Sequence, residues 1–343
     1  MKKNTQAIHL PYRRRDAYDA LSMPVYNAVA YEFDDAQTMA DAFCERIDAP
    51  DYSRCENPTV DNFEDRVRAL TDAFSVSALN SGMAAISNAM LALTAQGKNV
   101  VSSTHMFGNT FDLLNRSLRK FGVNLHTTDL TDIEKVKEAV DDNTCCIFVE
   151  IITNPQMEVA DLTALAKVAH EHNIPLVADT TTIPFTMFLA KELGVDIEVV
   201  SSTKYISGGA TSLGGLIIDY GTDYTKGFTS TIKSELLFNF GAYMTPQVAF
   251  MQTMGLETLD ARYRVQSANA LELARKLRGL KQIKSVNYVG LEDNKFYQLA
   301  QKQFGKTAGA MVCIDLENEK ACFNFLNNLK LVHRATNLFD NRT

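Results

Sequence analysis

Two stretches of sequence decide the fold: IPLVADT at residues 174–180 and IEVVSSTKY at residues 197–205. Each is an apolar run that ends in polar residues. Their lengths and β-branched content predict buried strands over 174–178 and 197–202. In an open α/β sheet, ligands bind beyond the carboxyl ends of the strands, so Asp179 and Lys204 stand where chemistry is expected.

Working outward from these two runs, the same alternation covers the middle of the chain. Further apolar runs predict strands over 75–79, 99–103, 123–127, 145–151 and 213–218. Amphipathic segments between them predict helices over 82–95, 110–120, 131–140 and 161–172. Alternating strands and helices predict an α/β fold, a mostly parallel seven-stranded sheet with helices on both faces.

The rest of the chain differs from this alternating region. A length of 343 residues suggests about two domains. Residues 1–57 lack strong periodicity and predict an N-terminal arm, and Asn57-Pro58 predicts the start of a helix. Residues 58–245 would form the main domain, and 246–343 a smaller α+β domain that is expected to be incomplete. In this last part the pattern predicts one long helix, a strand and a short helix, over 246–279, 310–316 and 318–328.

The composition of the chain argues against several kinds of function. The chain has 34 basic and 41 acidic side chains, a net charge of −7, which argues against a nucleic-acid partner. No apolar run is long enough to predict a membrane span, and the first residues do not predict a signal peptide. The six cysteines include no C-x-x-C pair and fit a reducing cytoplasm. No metal site is predicted.

Four features follow predicted strands, and each also has a purely structural interpretation. Ser81-Gly82 opens a helix and suits a phosphate, or is an ordinary cap. Asn154-Pro155 marks a turn whose amide could meet a ligand oxygen. Asp179 could bind a metal, act as a base, hold a protonated ring nitrogen or cap a helix. Lys204 lies among hydroxyls in SSTKY, where a desolvated lysine serves as a Schiff-base nucleophile, although surface lysines are commoner.

The order of these features is more informative than any one of them. A phosphate site, an aspartate and a lysine on neighbouring strands together meet the needs of pyridoxal 5'-phosphate. The lysine carries the cofactor as a Schiff base, and the aspartate keeps the pyridine nitrogen protonated.

At this point the sequence resembles the cystathionine gamma-synthase family, the pyridoxal-phosphate enzymes of cysteine and methionine metabolism, from about residue 7 to residue 343. YSRCENPT at 52–59 resembles the family motif Y-S-R-x-x-N-P-T, and SSTKY at 201–205 resembles its lysine motif S-x-T-K-Y. SGMAA at 81–85 resembles its phosphate turn. The resemblance implies a type I fold of pyridoxal-phosphate transferases.

The resemblance also implies roles for individual residues. Lys204 would bind the cofactor covalently and move protons on the substrate carbons, with Asp179 at the pyridine nitrogen and Asn154 near the ring hydroxyl. Tyr52 and Arg54 would reach the cofactor phosphate of a neighbouring subunit, so a homodimer would be the minimal active unit and a homotetramer the usual assembly. The residues implied at the chain's own phosphate site are Ser81, Gly82, Met83, Ser201 and Thr203.

Two departures from the family pattern matter for the chemistry. Where the family has a tyrosine stacked on the cofactor ring, this chain has Phe107, which can stack but has no hydroxyl. The family also continues for some tens of residues beyond Thr343, and that part carries the arginine that clamps the substrate carboxylate. Neither Arg334 nor Arg342 lies in the matching motif, so neither is assigned to the clamp.

The resulting hypothesis is γ-replacement, as in an O-acetylhomoserine sulfhydrylase. Acetate on an activated homoserine would be displaced by sulfide or a thiol, giving homocysteine or methionine. The segments around 300–306 and 335–338 resemble sulfhydrylases more than lyases. The alternatives are γ-elimination, as in methionine or cystathionine gamma-lyases, and a cofactor-binding protein with little activity.

Overall fold

The computed structural model of the protein describes residues 2–10, 16, 18–44 and 46–342. Its largest element is a seven-stranded sheet with the spatial order β1-β7-β6-β5-β4-β2-β3. The strands are β1 (Ser75–Leu79), β2 (Asn99–Ser103), β3 (Asn124–Thr128), β4 (Thr144–Glu150), β5 (Leu176–Asp179), β6 (Ile197–Val200) and β7 (Gly215–Asp219). Only β7 runs antiparallel to its neighbours, β1 and β6. The predicted mostly parallel seven-stranded α/β fold is confirmed.

Helices flank this sheet and continue beyond it. Those that precede β7 in the chain are α1 (Lys3–His9), α2 (Ala36–Phe43), α3 (Pro58–Thr71), α4 (Gly82–Leu93), α5 (Gly108–Asp112), α6 (Ile133–Ala139) and α7 (Leu162–Glu171). Those that follow it are α8 (Phe228–Ser230), α9 (Phe238–Phe240), α10 (Pro246–Glu257), α11 (Leu259–Arg278), α12 (Tyr297–Phe304) and α13 (Glu319–Asn328). A π-helical segment, Thr231–Leu237, joins α8 to α9. A small antiparallel sheet pairs β8 (Ser285–Asn287) with β9 (Cys313–Asp315).

The large sheet separates two hydrophobic cores, because successive side chains of a strand point to opposite faces. In β4, Ile147 and Val149 belong to one core, together with residues of α3, α7 and α11. Cys146 and Phe148 belong to the other, together with residues of α4 and of the segment 228–237. Strands covered on both faces read as continuous apolar runs, which is why the sequence pattern located them.

The predicted long helix over 246–279 is wrong, because the chain breaks at Thr258 between α10 and α11. Thr258 has φ −107° and ψ 1°. The carbonyl of Gly255 accepts from the Thr258 N–H and from the Arg262 guanidinium at 2.6 Å, in place of the next helical N–H. A Cβ at Gly255 would lie 2.0 Å from the Ile206 carbonyl oxygen, so only glycine allows α10 to approach the chain this closely.

Other elements depart from the sequence pattern in smaller ways. The predicted helix over 110–120 begins as α5 and then changes to a π-helical turn and a 3₁₀ turn, Leu113–Ser117 and Leu118–Phe121. β8 and α12 were not predicted.

The N-terminal region contains two helices, α1 and α2, where the sequence showed no strong periodicity. α1 packs on α3: Ala7 is buried, and the buried Arg66 side chain donates to its carbonyl oxygen. The division into an arm over 1–57, a main domain over 58–245 and a last domain over 246–343 remains a prediction.

Helix length and polarity also show whether a helix could span a membrane. Within the described part of the chain, no helix combines the length and apolar character that crossing a bilayer requires.

Candidate active site

A cavity of about 290 Å³ lies at the carboxyl edge of the parallel strands. Nine residues singled out from the sequence line it: Ser81, Gly82, Met83, Phe107, Asn154, Asp179, Ser201, Thr203 and Lys204. They come from five separate loops, so the sheet topology is what brings them together.

The pairing of β5 with β6 places the central aspartate and lysine. The strands are parallel and in register at Asp179 and Val199. The chain leaves β6 at Val200 and turns through Ser201 to Lys204, which lines the same cavity as Asp179.

The amino end of α4 forms one wall. The Ser81 hydroxyl caps the helix by accepting the Ala84 N–H at 3.1 Å. The preceding N–H groups of Gly82 and Met83 bond to no atom in the described part of the chain, so they are free to bind an anion. A Cβ at Gly82 would lie 2.6 Å from the Ser201 Cβ, so glycine is required where the two loops meet.

Two carboxyl groups face each other at the ends of β4 and β5. Glu150 and Asp179 are partners in the sheet register. Burial, and secondarily the charge of Asp179, raise the pKa of Glu150 to about 8. Burial also raises the pKa of Asp179, against hydrogen bonds from Thr181 that lower it. No cationic side chain among the described residues pairs with Asp179.

Lys204 lines the same cavity and is half-buried. Its Nζ donates to Asn337 Oδ1 at 2.7 Å. Burial lowers the pKa of Lys204, and the negative charge of Asp340 acts in the opposite direction. A lysine with a lowered pKa keeps more of its amine neutral and nucleophilic.

Phe107 stands at the mouth of the cavity, just before α5. Its side chain is 45% exposed. Its backbone N–H donates to a carboxyl oxygen of Glu150 at 2.5 Å. This bond holds the Phe107 backbone, and therefore the attachment point of its ring, in place. An exposed aromatic ring at the mouth can pack on the face of a bound planar ligand.

The hydroxyls near Lys204 are partly engaged by the protein. Thr203 Oγ1 donates to the Gly214 carbonyl at 3.2 Å and accepts the Gly214 N–H at 3.0 Å, so its proton is already used. The Ser201 side chain forms no such bond among the described residues. Asn154 lines the cavity and precedes a cis peptide bond to Pro155.

Tyr52 and Arg54, which the family resemblance assigns to the cofactor of a neighbouring subunit, do not line this chain's own cavity. The Arg54 guanidinium lies 4.9 Å from the centre of the Tyr52 ring and 5.9 Å from that of Phe238. Its buried Nε has no partner among the described residues.

Two further arginines also lie outside the cavity lining. Arg334 donates to the Leu326 carbonyl and Arg342 to the Gly209 carbonyl. Neither therefore supplies a substrate clamp in this arrangement.

Sequence reasoning missed three residues of the site: Glu150, Thr181 and Asn337. Glu150 lies near the end of the predicted strand over 145–151, and Thr181 comes three residues after the predicted strand over 174–178, so the rule that found Asp179 could also have found them. Asn337 is 133 residues from Lys204 in sequence, and no local pattern connects the two.

The residues present fit pyridoxal phosphate. The free N–H groups of α4 suit its phosphate. Asp179 is a partly buried carboxyl with no cationic partner in the described part of the chain, and a protonated ring nitrogen would supply one. Lys204 offers an amine with a lowered pKa between them. Each end of the cofactor therefore meets a side chain or backbone group of the matching chemistry.

Comparison with known proteins agrees with this chemistry. The family model of Cys/Met metabolism PLP-dependent enzymes matches residues 4–343. An L-methionine gamma-lyase of Fusobacterium nucleatum is 33% identical, with 100% of this chain and 87% of the relative aligned.

Two solved structures are similar as well. One is a putative O-acetylhomoserine (thiol)-lyase from Campylobacter jejuni that carries a pyridoxyl-lysine phosphate; it has a TM-score of 0.95 and 28% identity over 100% of this chain and 92% of that one. The other is an O-acetylhomoserine sulfhydrylase of Wolinella succinogenes, with a TM-score of 0.77 and 42% identity over 84% of this chain and 89% of that one. From its cavity, its motifs and these relatives together, the chain belongs to the family of pyridoxal-phosphate-dependent enzymes of cysteine and methionine metabolism.

Proposed function

We propose that this chain is an O-acetylhomoserine sulfhydrylase, which replaces the γ-acetate of O-acetylhomoserine with sulfide or a small thiol. The observation that carries the proposal is the convergence of Lys204, Asp179 and the amino end of α4 on one cavity. The sulfhydrylase relatives support this choice of reaction.

The proposed roles follow from the geometry. When bound, pyridoxal phosphate supplies an electron-accepting ring conjugated to the substrate amino group. Asp179 holds a proton at the ring nitrogen, and the N–H groups of Gly82 and Met83 bind the phosphate. Lys204 holds the cofactor and moves protons between the substrate Cα and Cβ, which needs an amine that gains and loses a proton readily. The Ser201 hydroxyl, Thr203 and Asn154 complete the binding surface.

Because Phe107 replaces the family's tyrosine, one proton donor is missing near the substrate. Its ring can pack on the cofactor, but it has no proton to donate to a leaving group. Proton transfer near the γ-carbon therefore falls to Lys204 in this proposal. Acetate is a good leaving group without protonation, whereas a thiolate benefits from a proton donor. The phenylalanine thus favours replacement on O-acetylhomoserine over elimination from methionine.

The proposed assembly and location follow from the residues outside the cavity. We propose a homodimer as the minimal unit, and a homotetramer built from it, because Arg54 and Tyr52 lie outside this chain's own cavity and Arg54 Nε lacks a partner. Six unpaired cysteines support a cytoplasmic location.

The test compares two reactions of the cofactor-loaded protein. We expect homocysteine from O-acetylhomoserine plus sulfide, and little ketobutyrate from methionine alone. Lys204→Ala should reduce replacement by about 10²–10⁴-fold or more, because the proton carrier is lost. Lys281→Ala, which removes an exposed lysine, is the matched control and should leave the rate unchanged. Ketobutyrate from methionine as the faster product would assign the protein to γ-elimination instead.

A further inference from the structure

Residues 336–342, here called the capping segment, lie across the cavity beside Lys204. Thr336, Leu338 and Phe339 contribute to its wall. Asn337 is part-exposed and accepts a hydrogen bond from the Lys204 amine. The segment therefore touches the group on which the proposed function depends.

A short chain of polar contacts runs from Lys204 into this segment. Lys204 Nζ donates to Asn337 Oδ1 at 2.7 Å, and Asn337 Nδ2 donates to Asp340 Oδ2 at 2.7 Å. An ionised carboxylate can only accept hydrogen bonds, so Asp340 must face the NH₂ end of the amide. The carbonyl end then has to face Lys204, which fixes an orientation that an isolated amide leaves open.

The capping segment is held to the loop that carries Lys204. The Phe339 ring stacks on Tyr205 at 4.5 Å with an interplanar angle of 14°. The Asn341 N–H donates to the Gly208 carbonyl at 2.6 Å, and the Arg342 guanidinium to the Gly209 carbonyl at 2.6 Å. These contacts keep Asn337 at a constant distance from the lysine.

Asp340 is held as well. Its backbone carbonyl accepts from Gln266 Nε2 at 2.9 Å, and its Oδ1 accepts the Arg342 N–H at 2.6 Å. With both of its carboxylate oxygens bonded, Asp340 keeps its position behind the amide of Asn337.

The other ionisable groups around Lys204 lie on different elements. Asp179 and Glu150 end β5 and β4 and line the same cavity, and burial favours their neutral forms. Arg262 of α11 donates to the Tyr205 carbonyl, and Arg342 to the Gly209 carbonyl. Asp340 is thus the carboxylate that acts on the amine through Asn337.

We propose that Asn337 is a positioning residue for Lys204, with its amide carbonyl aimed at the amine by Asp340. The proposal rests on the function given above, since Lys204 matters there as the cofactor lysine and proton carrier. Its effect is to keep the amine directed into the cavity and to stabilise its protonated form.

The test measures the ionisation of Lys204 directly on the whole 343-residue chain, freed of cofactor. Acylation of lysines by acetic anhydride from about pH 6 to about pH 10 reports the neutral fraction of each amine, read by mass spectrometry of its peptide. On the low-pH side, Asn337→Ala should raise the acylation rate of Lys204 by about five- to tenfold, because a hydrogen bond to the charged form is lost. Asp340→Asn should act in the same direction, and Asn337→Asp should lower the rate.

Asn341→Ala is the matched control, since its exposed side chain lies in the same segment and makes no hydrogen bond among the described residues. It should titrate like the unmodified chain, with Lys281 as the internal reference. Circular dichroism checks that each variant is folded. If Asn337→Ala and Asn337→Asp both leave the Lys204 profile unchanged, the proposal is overturned.

This result is independent of the reaction that the protein catalyses. A separate measurement, the mass of the Lys204 peptide after borohydride reduction of the loaded protein, tests whether this lysine holds the cofactor. Failure of the second measurement would undermine the proposed function, and failure of the first would undermine only the role of Asn337.

Discussion

At the residue scale, Glu150 and Asp179 make the stability of the cofactor-free protein depend on pH. The folded-state pKa of Glu150 is about 8, above the ordinary value of 4.5. Between these two values the folded chain holds a proton that the unfolded chain releases. Stability contributed by this group is therefore lost as pH rises through about 8.

Glu150→Gln should remove this dependence, because the amide has nearly the same shape and does not ionise. Relative to the unmodified protein, the variant should be more stable at pH 9 than at pH 5 by about 1–3 kcal/mol. Urea unfolding at several pH values measures the difference. Glu292→Gln, at an exposed position, is the control and should give a nearly constant difference. A constant difference for Glu150→Gln would show that this carboxyl does not hold the extra proton.

At this same scale, local sequence predicted some site residues and not others. Asp179 and Lys204 follow buried strands, so strand prediction and the geometry of parallel sheets were enough to group them. Asn337 belongs to an irregular segment that the loop after β6 and helix α11 hold in place. Its position depends on tertiary contacts such as the Phe339–Tyr205 stack, which no periodicity reports.

At the scale of the element, the capping segment has an unusual backbone. Phe339 has φ 66°, in the left-handed region that favours glycine, yet its side chain is buried against Tyr205. The ring contact holds the backbone in a conformation that is unfavourable for a residue with a Cβ.

Two substitutions at Phe339 distinguish the stability contributed by the buried ring from the cost of its left-handed backbone. Both Phe339→Ala and Phe339→Gly should destabilise the fold by about 2–4 kcal/mol through loss of the buried ring. Glycine should be the more stable of the two by about 1 kcal/mol, since only it adopts the left-handed region freely. At Leu338, where φ is not positive, alanine should instead be at least as stable as glycine. Urea unfolding of the four variants measures these differences, and equal stability of the two Phe339 variants would contradict the strained backbone.

Elements were predictable where burial alone determines them. The inner strands of the large sheet are buried on both faces, whereas the edge strand β3 is partly exposed. Asp161 caps α7, as a helix start at an aspartate predicts. The break at Thr258 was not predictable, because it depends on Arg262 and Ile206 meeting Gly255 in space. The π-helical turn after α5 likewise lies inside the helix predicted over 110–120, and no sequence pattern indicated it.

At the scale of the whole molecule, Arg54 tests whether active sites are shared between subunits. If Arg54 reaches the cofactor phosphate of a partner subunit, as proposed, Arg54→Ala should lower cofactor affinity because that charge-assisted contact is lost. Co-expressed Arg54→Ala and Lys204→Ala chains should regain about a quarter of the normal activity. Half of the dimers would be mixed, and each mixed dimer would contain one intact site.

The control pairs Lys204→Ala with a chain that carries both substitutions. That combination should remain inactive, since no dimer then has an intact site. If the first mixture also remains inactive while the chains still associate, the sites are not shared in this way.

The position of β7 in the sheet affects how the chain folds while it is being synthesised. β1, near the start of the sheet, pairs with β7, whose residues leave the ribosome some 140 positions later. Until β7 has been synthesised up to Asp219, β1 (Ser75–Leu79) lacks its partner strand. The loop that carries Ser81 is therefore not yet held in its final position. The nascent polypeptide therefore completes its cofactor pocket late in synthesis, because β7 and then the wall residues Thr336, Leu338 and Phe339 come after Lys204. Long-range pairing of this kind is intrinsically slow to form.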